Sequence, residues 1–244
     1  MAVLGADIIV EFAHRLPFEF NRPPFPEFAT LLRLSTKYQI NAVRDVLLAN
    51  LRATYIPGKH AVDVIPICRG YFGDPLPHPN EVLKLFFEFQ VEFALPFAFY
   101  EACVTGIKSL TSTDPSIRLP PVLLSQAVRG FCALQEWEWK LARCILFLDR
   151  QSHTSSKCRQ LDIRSSDSGS PLQDVLRTVC PEFGRTSRDI LHILDFPNKD
   201  NCVDCVRRWN EVKEQVKTEL WGSLPEIFGM EPWTEIYLTD KGAT

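Results

Sequence analysis

A chain of 244 residues with a net charge of −3 and a pI near 6.0 has no positive field to hold a phosphate backbone, which counts against nucleic-acid binding. Hydrophobic residues at 45% and charged residues at 23% fit a globular chain with a sizeable core. The 17 Phe and 18 Pro point to aromatic packing and to many breaks between helices. The longest apolar stretch, Leu83 to Val104, is interrupted by Lys84, Glu88, Gln90, Glu92, Pro96 and Glu101, so no membrane span is expected. Asp7 interrupts the apolar start, and no Lys or Arg precedes it, so no secretory leader is expected either. The expected compartment is cytoplasmic or nuclear, where the eight cysteines are thiols or metal ligands rather than disulfides.

Taken in chain order, Ile8 to Phe12 is a strand-like run, and Pro17, Pro23 and Pro24 interrupt regular structure after it. Pro26 suits the start of a helix whose Phe28, Leu31, Leu32 and Tyr38 fall on one face. Asn41 is placed to cap a second helix with Val43, Val46, Leu47 and Leu51 at inward spacing, and the short link between the two predicts a helical hairpin. A short helix is expected over Ala61 to Tyr71, followed by a linker holding Pro75, Pro77 and Pro79. Asn80 then caps a helix, Val82 to Phe89, that is apolar around most of its circumference and must be enclosed. Helices follow over Phe97 to Leu110, Pro121 to Cys132 and Glu136 to Leu148, the last with Trp137, Leu141, Ile145 and Leu148 on one face. Residues 150–170 read as a polar surface loop, and short helices are expected after Ser170-Pro171 and over Ser187 to Leu194. Cys205 to Trp221 forms the longest late helix, with Val206, Trp209, Val212, Val216 and Leu220 inward and an end at Gly222. The Trp221 to Trp233 tail is expected to fold back and pin that helix. The fold class is mainly α.

The run Phe28-Ala29-Thr30-Leu31-Leu32-Arg33-Leu34-Ser35-Thr36-Lys37-Tyr38-Gln39-Ile40, continuing through Val43-Arg44-Asp45 to Leu51, resembles the last helices of BTB/POZ domains. In particular it is similar to the BTB-domain proteins of mushroom-forming fungi. Leu95-Pro96-Phe97-Ala98-Phe99-Tyr100-Glu101-Ala102-Cys103, the Cys-containing loop after residue 150 and the tail from Trp221 to Trp233 fit the same group, so the matches extend, with gaps, over residues 25–236. The resemblance implies a non-catalytic interaction or adaptor protein that makes homo- or heteromeric contacts. In some members of the family the partner is a cullin-type ubiquitin-ligase scaffold or a transcriptional regulator. The family's dimer face is built by a helix and strand that precede the matched helices. Only about 25 residues precede them here, against roughly 80 expected of such a domain. The expectation is a truncated BTB-type helical hairpin, either from a shortened gene reading or in a degenerate paralogue, with BTB-type dimerisation in doubt. The segments on this reading are 1–58 (partial BTB/POZ-like), 59–150 (α-helical extension), 151–236 (helical, with Cys) and 237–244 (tail).

One constellation is suited to a metal. His153-x4-Cys158 is followed, 43 residues on, by Cys202-x2-Cys205. Two thiolates in C-x2-C spacing grip one ion from a tight turn, and zinc takes four S or N ligands in a closed tetrahedron. The resemblance implies a paired Cys where His153 and Cys158 stand, with His153 replacing one thiol. Cys180 or His192 could stand in for His153, and the bland alternative is a set of loop side chains that never meet. One structural zinc is the cofactor expectation. A redox C-x2-C needs a βαβ setting that the sequence lacks. Cys103, Cys132 and Cys144 sit among apolar neighbours and read as core residues.

No G-x-S-x-G, H-E-x-x-H or Gly-rich phosphate loop occurs. His14, His60, His78 and His192 have no partner at helical spacing. Glu136 and Glu138 alternate with Trp137 and Trp139, which reads as a solvated face beside core indoles rather than an acid–base pair. The Phe-rich stretch Phe86 to Phe99 reads as core before it reads as a groove for a partner helix. The alternatives to an adaptor are a zinc-dependent nucleic-acid-binding regulator, which would need a basic surface, and a small enzyme of unrecognised type.

Overall fold

A computed structural model of the chain describes residues 24–55, 71–73, 75–151 and 203–233, with the side chains of 54–55, 138–151 and most of 203–213 outside that description. Helices dominate the described residues and no strand occurs among them, in agreement with a mainly α fold. The chain divides into two compact units, Met1–Leu95 and Pro96–Thr244. The boundary falls inside the sequence segment 59–150.

In the first unit, helix α1 (Phe25–Lys37) has Pro26 in its opening turn, where a missing N–H leaves no intrahelical bond unmade. Phe28, Ala29, Leu32 and Ser35 form its buried face. Tyr38, expected inward, is 60% exposed, because the helix ends at Lys37 and the buried stripe has rotated past it. Gln39 adopts a left-handed φ of 55°. Its N–H then donates to Thr36 O at 3.2 Å and that of Ile40 to Ser35 O at 2.8 Å, a Schellman closure without the usual glycine. Helix α2 (Asn41–Tyr55) starts at once. Ile40, not Asn41, stands before its first turn, its carbonyl accepting from Val43 and Arg44 N–H at 3.2 Å each. Val43, Leu47 and Leu51 are buried, and α1 and α2 pack together as the expected hairpin.

Phe28 also meets Tyr71 and Phe72 edge-on at 6.0 and 5.4 Å, and Phe25 meets Phe72 at 5.1 Å. Burial raises the Tyr71 hydroxyl well above the usual phenol range. Tyr71 lies in a bend; the rest of the helix expected over Ala61 to Tyr71 is outside the described residues.

Helix α3 (Pro79–Glu88) is capped by His78 rather than by Asn80. The Asn80 N–H donates to His78 Nδ1 at 3.2 Å, and the His78 N–H donates to Glu81 Oε2 at 3.3 Å, which is a capping box with an imidazole in the serine's place. Asn80 is buried inside the helix with Leu83, Leu85 and Phe86. A second Schellman closure follows at Gln90, with φ 54° and the Val91 N–H donating to Phe86 O at 2.9 Å. A 3-10 turn, Glu92–Ala94, then packs on α2, where the Arg52 guanidinium lies 5.0 Å from the centre of the Phe93 ring.

Helix α4 (Leu95–Val104) leads into the second unit, and every residue from Leu95 to Tyr100 is buried, as an all-round apolar helix requires. It does not run on to Leu110. Gly106 at φ 88° breaks the chain and a four-residue helix, α5 (Ile107–Leu110), follows. Pro121 to Leu148, read as two helices, lies within one 31-residue helix, α6 (Pro121–Gln151), since the intervening Ala133-Leu134-Gln135 contains no breaker.

Helix α7 (Val203–Ile227) passes through Gly222 and even through Pro225. It closes at Gly229, whose φ is 65°, with the Met230 N–H donating to Pro225 O at 2.8 Å. Val216, Leu220, Trp221 and Leu224 form its buried face, and it packs along α6. Val216 and Leu220 face inward as expected; Val212 is half-buried, and the side chains of Val206 and Trp209 are outside the described residues. Among the described residues, no helix is long and apolar enough to cross a membrane.

Candidate interaction surface

The first unit buries one side of each hairpin helix and leaves large apolar side chains exposed on α1, α2 and α3. On α1, Phe28, Leu32 and Ser35 point inward, so Leu34 is turned outward and is 42% exposed. The Schellman closure at Gln39 throws Tyr38 into solvent, where the Lys37 Nζ sits 5.4 Å from its ring centre. On α2, Val46, expected inward with its neighbours, is instead 40% exposed between the buried Val43 and Leu47, and on α3 Phe87 is 43% exposed beside the buried Phe86. An ion pair, Arg33 to Glu88 at 3.5 Å, joins α1 to α3 one residue from Leu34 and one residue from Phe87. Both partners are more than half exposed, so the pair orients the two helices more than it stabilises them. Completing the burial of such side chains against a partner is worth on the order of 1 kcal/mol each.

The Phe-rich stretch is mostly core, as expected: Phe86, Phe93, Phe97 and Phe99 are buried, and Phe87 is its outward member. The predicted metal ligands His153, Cys158 and Cys202 lie outside the described residues, as do Cys180 and His192. Cys205 lies in the first turn of α7, with its side chain outside them. Among the described residues, no three His, Cys, Asp or Glu gather to hold a metal. Cys103 is buried, and its thiol donates to Ala127 O at 3.3 Å. Cys132 is exposed, against the expectation of a core thiol, because it lies on the outer side of α6 next to the inward Phe131. His78, which had no partner at helical spacing, is the cap of α3. A reading confined to i, i+4 pairs misses it, because capping acts from N-cap to N2 and N3. Glu136 is exposed and Trp137 half-buried, while Glu138 and Trp139 have side chains outside the described residues.

In the second unit the tail folds back as expected. The Trp233 indole lies on the Trp221 ring at 5.5 Å with an interplanar angle of 11°, and its Nε1–H donates to Trp221 O at 2.7 Å. Sequence reading missed why that carbonyl is open. Pro225 stands four residues after Trp221 and has no N–H to give it. The signal was present in the spacing from Trp221 to Pro225, but an expected helix end at Gly222 hid it.

Comparison with family models, with curated proteins and with solved structures found no match to this chain.

Proposed function

We propose that the chain is a non-catalytic interaction or adaptor protein of the BTB type that binds another protein through the outer side of its first unit. The observation that carries this reading is the exposure of Leu34, Tyr38, Val46 and Phe87 on α1, α2 and α3. Apolar side chains of this size, rimmed by Arg33, Lys37 and Glu88, combine an apolar centre with a polar edge. The hairpin Phe25–Tyr55 and the family-like run Phe28 to Leu51 coincide, which supports placing the BTB resemblance there. Within the same proposal, His153, Cys158, Cys202 and Cys205 hold one structural zinc. Four protein ligands leave no open position for water, so such an ion braces the fold and does no chemistry.

Two experiments test it. Proteins retained by the immobilised chain are expected to be lost from a folded Leu34→Ser/Tyr38→Ser/Val46→Ser/Phe87→Ser variant and kept by Val122→Ser, which removes an exposed apolar side chain from the second unit. Equal retention by both variants would overturn the surface assignment. Metal analysis of the purified chain is expected to give about one zinc per molecule, absent from Cys202→Ala. A folded, metal-free chain ends the zinc reading.

A further inference from the structure

In the second unit an aromatic ring and the backbone carbonyl beside it are both met by one side chain. Trp221 is buried along α7 and its ring meets the core ring of Phe97 at a tilt, with ring centres 5.8 Å apart. Trp233 stacks on the same indole, nearly parallel. Pro225 deprives the Trp221 carbonyl of the N–H that a helix would otherwise supply. An aromatic face beside an unclaimed acceptor is complementary to one side chain above others. Indole supplies both a large flat ring and a single N–H donor, and it has no acceptor to misplace. The 2.7 Å bond from Trp233 shows that the two halves of the site can be met at once by one indole.

The occupant is held by a short strap. Gly229 closes α7, and Phe228 just before it is fixed by the Gln126 side chain, whose Nε2–H donates to Phe228 O at 2.6 Å. Residues 230–232 then carry Trp233 back over the last two turns of the helix. Trp233 is only half-buried, so its outer edge meets solvent while Trp221 does not. A strap of a few residues acts as a tethered ligand at an effective concentration in the millimolar range, which a free competitor must exceed.

We propose that the Trp221 ring and its Pro225-freed carbonyl form a tryptophan-recognition site, closed in cis by Trp233, that takes a tryptophan-bearing peptide in trans when the strap is displaced. This site belongs to the second unit and stands or falls without the surface proposed for the first.

The probe is a blocked peptide of the chain's own sequence from Met230 to Glu235, titrated calorimetrically into the full chain. Trp233→Ala is expected to bind it saturably, and the wild-type chain at least tenfold more weakly, because the tether competes. The same peptide with Phe in place of Trp is expected to bind Trp233→Ala several-fold more weakly, having lost the donor. Pro225→Ala/Trp233→Ala is expected to bind the original peptide several-fold more weakly as well, since an alanine in the proline's place returns an N–H to the Trp221 carbonyl. A folded Trp233→Ala that shows no saturable binding overturns the proposal and leaves Trp233 a structural brace. Should Trp233→Ala fail to fold, Trp233→Phe keeps the ring and asks the same question. It must bind the peptide more tightly than wild type, and equal affinities would sink the idea.

Discussion

Two helices of the first unit end on glutamines in left-handed backbone, Gln39 and Gln90, whereas the last helix of the second unit ends in the same geometry on Gly229. The hydrogen bonding is the same at all three ends, so the difference lies in what surrounds them. In the first unit each closure is local, made within six residues, and it turns Tyr38 and the neighbourhood of Phe87 outward. In the second unit the closure is tied to a distant helix. Phe228 stacks on Phe99 at 5.1 Å, lies where any Cβ on Gly130 would stand, and gives its carbonyl to Gln126, 102 residues earlier. Both units leave some large apolar side chains exposed, Ile107 and Val122 in the second among them, but the second ties a helix end to two other helices through the Phe228 ring.

The comparison can be broken most forcefully at the plug. Phe228→Ala is expected to destabilise the second unit by about 3–5 kcal/mol. Gly130→Ala should cost about 1–3 kcal/mol through overlap with that ring, yet the same change made in the Phe228→Ala background should become stabilising by up to about 1 kcal/mol, since alanine favours helix. All five tryptophans lie beyond residue 95, so tryptophan fluorescence during urea unfolding reads the second unit alone. Identical costs in the two backgrounds would mean that the ring and Gly130 do not oppose each other.

A smaller effect sharpens the contrast between the helix ends. Gly229→Ala should lose about 1 kcal/mol, while Gln39→Gly and Gln90→Gly should gain a few tenths to about 1 kcal/mol, because only glycine takes a left-handed φ without a Cβ penalty. The glutamine variants should move the circular-dichroism transition and leave the fluorescence transition in place. Smallest of all, Arg33→Ala should change stability by no more than about 0.5 kcal/mol, as an exposed ion pair does. A larger loss would show that Arg33 and Glu88 do more than orient two helices.

Much of this architecture is legible in residue spacing. The hairpin follows from the inward series Phe28 and Leu32, then Val43, Leu47 and Leu51, and the buried α4 from its unbroken apolar circumference. Element ends are harder. Glycine at 222 suggests a stop, but nothing at that point competes with continued helical hydrogen bonding, and the left-handed turn falls seven residues later at Gly229. Gly106, inside the helix expected over Phe97 to Leu110, carries the break between α4 and α5. The caps lie one or two residues before Asn41 and Asn80, where residue type alone favours asparagine, because Ile40 needs only its carbonyl and His78 presents Nδ1 at the right distance. Of the candidate surface, the existence of an outer face is legible, but which apolar residues lie on it depends on where each helix stops. The Pro225 and Trp221 relationship needs both helix bounds and a tertiary contact, and no local pattern supplies the second.

The outer apolar side chains of the first unit are proposed to meet the adaptor's protein partner. Carbene footprinting of the chain, free and in a recovered complex, tests this most directly. Protection is expected at Leu34, Tyr38, Val46 and Phe87, with labelling of Val122 unchanged. Protection confined to residues 216–233, with Leu34 and Phe87 labelled equally in both states, would contradict it.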